Sequence, residues 1–174
     1  MYDTIITVPT LSSLLGSGFL LASIAIMLAA ALHDIAVRTV PNWMAAALAL
    51  LGLVLQSING HPIAGLVAGL IVFVVAAFCW RRGWMGGGDV KLLAAVAIIV
   101  PPGHVGQFLV AVTLAGAVLA VLYLVARRVI AEPAAQRPAH LIARAIRAER
   151  WRINRGGPLP YALAIAAGFI IVTL

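Results

Sequence analysis

Charge is scarce in this chain, and acid is scarcest. Of 174 residues only 10% are charged, with five Asp or Glu against twelve Lys or Arg. A soluble domain of this length carries far more charge to solvate its surface. With 64% hydrophobic residues and a mean hydropathy of +1.11, the composition predicts an integral membrane protein. The predicted architecture is all-α, with residues 1–174 forming a single polytopic domain. Strict apolar–polar alternation is missing, and the continuous apolar runs argue against a β-barrel. A lone cysteine, Cys79, excludes an internal disulfide and any cysteine-pair zinc site. Within its apolar run it reads as a small buried residue. His33, His61, His104 and His140 show no ligand spacing, so no metal is expected. No cofactor is expected either, since no glycine-rich nucleotide loop follows a strand. The start, Met1-Tyr2-Asp3, lacks the basic region of a secretory leader, so the first apolar run is expected to be a retained helix.

The apolar runs predict a bundle of six transmembrane helices. These cover about Leu11 to Leu32, Trp43 to Ile58, Ile63 to Trp80, Val90 to Val100, Val105 to Ala126, and Leu159 to the end. Pro41-Asn42 restarts the chain as a helix after a polar link beginning at Ile35, and Asn59-Gly60-His61-Pro62 makes a tight turn. Gly65 and Gly69, four residues apart, suit close helix packing rather than chemistry. The fourth run is short. At about 1.5 Å per residue it cannot cross a core of about 30 Å. Either that helix begins well below the membrane surface, or part of the preceding glycine run, Gly86-Gly87-Gly88, lies at membrane depth. Irregular backbone there must be buried in protein or line a wet cavity.

The net charge of +7 suggests nucleic acid until the charges are located. Every Lys and Arg falls at Arg38, Arg81, Arg82, Lys91 or between Arg127 and Arg155, and the turns 59–62 and 101–104 hold none. This partition is a topology signal, not a phosphate groove. Basic loops are expected in the cytoplasm against anionic headgroups, with both termini outside. Residues 127–158 form a cytoplasmic insert in which His140 to Ile153 reads as an amphipathic helix. Leu141, Ile142, Ala145, Ile146 and Ile153 share one arc, with Arg144, Arg147 and Arg150 opposite. Such a helix lies on anionic headgroups, or else docks substrate or covers an active site.

Five acids are then sorted by position. Asp3 is outside, and Glu132 and Glu149 belong to the insert, which leaves Asp34 and Asp89 at the cytoplasmic membrane face. Carboxylates at a bilayer edge are expensive and mark function. Two facing carboxylates suffice for aspartyl proteolysis: one, ionised, activates a water, and the other, protonated, donates to the scissile carbonyl. They titrate as a pair, so neither role is assignable to one residue. The structural alternative pairs Asp34 with Arg38 at i,i+4 and lets Asp89 cap the fourth helix. A small proton-coupled transporter is the alternative function, disfavoured by the lack of an internal repeat and by both acids lying at one face.

Asp34, six further residues and then Pro41-Asn42, with Arg38 between, resembles the first aspartate motif of type IV prepilin peptidases. Gly86-x-Gly88-Asp89-x-Lys91 resembles their second, the G-x-G-D motif, and Pro158-Leu159-Pro160-Tyr161 is similar to their last-helix signature, with Ala162 where glycine is usual. The resemblance implies a multi-pass inner-membrane peptidase that removes the basic leader of prepilin or pseudopilin substrates at the cytoplasmic face. Asp34 and Asp89 would be its catalytic pair. Lys91 matches the motif, but helical spacing turns it away from Asp89 toward substrate or headgroups. Larger members carry a cytoplasmic domain with paired cysteines and N-methylate the product. Without those cysteines, this chain resembles the short members serving Flp-type or archaeal-type filaments and is expected not to methylate. Presenilin-like proteases share G-x-G-D but would not explain Pro41-Asn42.

Overall fold

A computed structural model describes residues 11–130 and 140–174. Asp3 and Glu132 lie outside the described residues. Every regular element among the described residues is helical: α1 (Leu11–Val37), α2 (Asn42–Ile58), α3 (Pro62–Arg81), α4 (Gly87–Ile99), a 3-10 turn (Pro102–His104), α5 (Val105–Val129), α6 (Leu141–Arg155) and α7 (Tyr161–Thr173). The six apolar runs become α1 to α5 and α7, and the amphipathic stretch becomes α6.

Three stretches are long and apolar enough to cross a membrane alone: Ser12–Val37, Pro62–Arg81 and Pro102–Val129. Their outward faces stay apolar. On α3, Ile63 is 76% exposed, and Leu70, Val74, Val75 and Phe78 are all more than half exposed. In water so broad an apolar surface would drive association; in lipid it is the solvated face. The chain is a membrane protein.

Shorter helices are interior. In α4, Val90 and Leu92 through Ile99 are buried, because a helix that is apolar all round has no face for water and must be enclosed. It packs on α2, α3 and α7, while α7 packs on α5 and α1. Gly65 and Gly69 let α3 approach α4. A Cβ on Gly69 would start 2.3 Å from Ile98 Cγ1 and 3.1 Å from the Ala94 carbonyl oxygen. The buried Gln56 of α2 donates from Nε2 to the Ile99 and Val100 carbonyls, 3.2 Å each. It thereby satisfies two acceptors left open at the α4 terminus.

Two helix ends differ from expectation. The first helix does not stop at Leu32 but continues through His33 and Asp34 to Val37, and the Arg38 amide still donates to the Asp34 carbonyl at 2.8 Å. His-Asp is polar but does not break a helix. The turn comes at Arg38, whose φ of 60° makes it, among the described residues, the sole non-glycine with positive φ. Likewise α4 starts at Gly87 rather than Val90, so Gly87 and Gly88 are helical and Asp89 lies in the first turn.

Candidate active site

Three links meet at one end of the bundle: 38–41 after α1, 82–86 after α3, and 156–160 before α7. Between them lies an open cavity of about 660 Å³ lined by Asp34, Arg38, Gly83, Trp84, Met85, Gly86, Asp89, Pro158, Leu159 and Tyr161. A smaller recess of about 300 Å³ continues past Thr39, Val40, Gly88 and Lys91 and shares both aspartates. Residues from all three sequence motifs therefore converge on one space.

Each aspartate is delivered by a helix end. Asp34 sits near the C-terminus of α1, buried to 8% exposure, and its carboxylate faces the Ala162 backbone amide in the first turn of α7. Asp89 is in the first turn of α4, half-buried, facing the Gly86 amide. Each acid thus lies at the positive end of a helix dipole, an arrangement worth about 0.3–1 kcal/mol per charge. That partly offsets bringing two carboxylates together. Ala162, where glycine is usual, is fully buried, and its contribution toward Asp34 comes from the backbone.

The glycines are explained by what approaches them. A Cβ at Gly86 would start 2.9 Å from Asp89 Oδ2, and one at Gly88 would lie 3.3 Å from Val40 Cβ. Gly86 leaves room for the Asp89 carboxylate, and Gly88 lets the link after α1 close on α4. Lys91 adds a tie. Expected to turn toward substrate or headgroups, it instead donates from Nζ to Asn42 Oδ1 at 2.7 Å, joining the first motif to the second. Pro41 is the N-cap of α2 and Pro160 that of α7. His33 Nδ1 donates to the Thr39 carbonyl at 2.6 Å and closes the link from within.

Arg38 is not the ion-pair partner of Asp34. Among the described residues its ion pair is with Glu149 of α6, Nη2 to Oε1 at 2.5 Å. Its Nε and Nη1 are buried and without a partner among the described residues. Glu149, set aside in the sequence as part of a soluble insert, also accepts from the Tyr123 hydroxyl and from Arg152 Nη1 at 3.0 Å. Arg152 in turn donates to the Ile35 carbonyl at 2.8 Å and the Ala36 carbonyl at 3.4 Å, capping α1. The signal was present. Ala145, Glu149 and Arg152 follow i, i+4, i+7 spacing, which puts two charges inside the apolar arc of α6.

Two carboxylates sharing one water-accessible cavity can run general acid–base hydrolysis. Among the described residues, no three His, Cys, Asp or Glu side chains gather as a metal site would need. A family model described as the type IV leader peptidase family matches residues 21–124. That stretch includes Asp34, Arg38, Pro41, Asn42, Gly86, Gly88, Asp89 and Lys91, and it ends inside α5, ahead of α6 and α7. No curated protein and no solved structure matches the chain. The family match spans more than half of the 174 residues: the chain belongs to the type IV leader peptidase family.

Proposed function

We propose that this peptidase is an intramembrane aspartyl enzyme that removes the leader of prepilin or pseudopilin proteins at the cytoplasmic face of the inner membrane. Asp34 and Asp89 are its catalytic pair. The observation carrying this reading is that two acids from distant motifs line one cavity at one end of the bundle. One ionised carboxylate takes a proton from water as it attacks the scissile carbonyl. The other, protonated, donates to that carbonyl's oxygen. The roles belong to the pair, which titrates as a unit. Membership of a peptidase family sets aside the transporter reading.

Six spans, basic loops in the cytoplasm and termini outside are the topology that fits the charge partition. Residues 127–158 then form a cytoplasmic insert of the single domain 1–174, with its arginines near anionic headgroups. We further propose that the enzyme cleaves without N-methylating. What supports this is that the link between α1 and α2 is only residues 38–41, with no domain inserted there, and that Cys79 is the sole cysteine of the 174 residues.

The test is leader removal in membranes holding this protein and a prepilin. Asp34→Asn and Asp89→Asn are each expected to slow cleavage by at least about 10²–10⁴-fold at unchanged protein level. Normal processing by either variant would end the reading. Mass spectrometry of the mature substrate should find an unmethylated N-terminus.

A further inference from the structure

Glu149 is a carboxylate on the apolar arc of a basic helix, where an acid is costly unless partnered. Its donors come from three directions: Arg38 beyond α1, Tyr123 on α5, and Arg152 on its own helix. The Arg38 and Glu149 side chains are each only 14% exposed, so salt screens the pair weakly.

Arg38 is the connection to the aspartates. It lines both openings alongside Asp34 and Asp89 and acts electrostatically on each. Yet among the described residues its ion pair is with Glu149. It also holds a left-handed backbone conformation that disfavours any side chain. Apart from Lys91, which donates to Asn42, the charges acting on the aspartates are Arg38, Arg152 and Glu149. With one proton shared by the aspartates, Arg38 and Arg152 face one ionised aspartate and Glu149. Without Glu149, the nearest compensation for Arg38 is the ionised aspartate itself. An ion pair there would occupy the base that must activate water.

We propose that Glu149 is a positioning residue of the peptidase: it holds the Arg38 guanidinium so that its charge faces Asp34 and Asp89 without binding them. This rests on the reading of those two acids as the catalytic pair.

The experiment uses the full chain in lipid nanodiscs, a peptide carrying a prepilin leader and its following apolar segment, and separate kcat and KM. Glu149→Gln keeps the shape and removes the charge. Its kcat should fall about 10²-fold, the scale set by misplacing one group at a reacting centre. KM should stay within about threefold, with kcat counted per folded enzyme. Adding Arg38→Gln should not slow the enzyme further, since the two residues act as one unit. Four outcomes overturn the proposal: wild-type kinetics, a raised KM at unchanged kcat, a loss that only tracks the folded fraction, or multiplying losses in the double variant. Asp89→Asn measured beside them separates the two readings. If that variant cleaves at the wild-type rate, the catalytic pair is wrong; if it is dead while Glu149→Gln is normal, only the positioning role fails.

Discussion

At Gly86 a single hydrogen atom occupies the space that keeps Asp89 in place. A methyl there would start 2.9 Å from the carboxylate oxygen, so the side chain must turn away from the cavity or the link must shift. Gly86→Ala should therefore cut leader cleavage by roughly 10–10²-fold in a membrane assay, with protein level unchanged. Gly103, with nothing within 4 Å of its would-be Cβ, supplies the control: Gly103→Ala should process normally. The G-x-G-D pattern was readable in the sequence, but not why each glycine is needed. Gly86 faces the aspartate three residues on; Gly88 faces Val40, which is far away in the chain.

Among the elements, α4 depends most on its neighbours. Its end is closed by Gln56, a buried amide reaching two carbonyls. Gln56→Leu leaves both unpaired in an apolar interior and should cost about 1–3 kcal/mol, measured as a lower unfolding midpoint in detergent titration. Gly69→Val should destabilise by a similar ~1–3 kcal/mol in the same assay, because the added atoms meet Ile98 and the Ala94 carbonyl. The sequence predicted packing at Gly65 and Gly69 from spacing alone, and contact with α4 bears that out. The helix α4 begins at Gly87, three residues ahead of the expected Val90, despite glycine's poor helix propensity. Close approach by Trp80 and Val40 around Gly87 and Gly88 holds those residues helical.

For the whole molecule, the proposed topology rests on charge distribution, with the basic end on the cytoplasmic side. After Cys79→Ser removes the native thiol, a cysteine placed at Arg144 should react with an impermeant reagent only from the cytoplasmic side. Labelling from outside would invert the proposed topology. The same end carries the cavity, Glu149 and the basic helix α6, so substrate, headgroups and aspartates would meet at one surface.

Sequence alone determined the membrane character, the all-helical class, the amphipathic insert and the two acids worth attention. These follow from composition, periodicity and the cost of charge in hydrocarbon, all local properties of the chain. Only the tertiary structure decided which groups touch. It gave Arg38 to Glu149 rather than to Asp34, the pair that the structural alternative supposed, and it turned Lys91 onto Asn42. It also placed Asp34 against the first turn of α7. The physical reason is range. A long side chain near a helix end can reach several acids or carbonyls, and which it takes depends on the helices packed around it rather than on its neighbours in sequence.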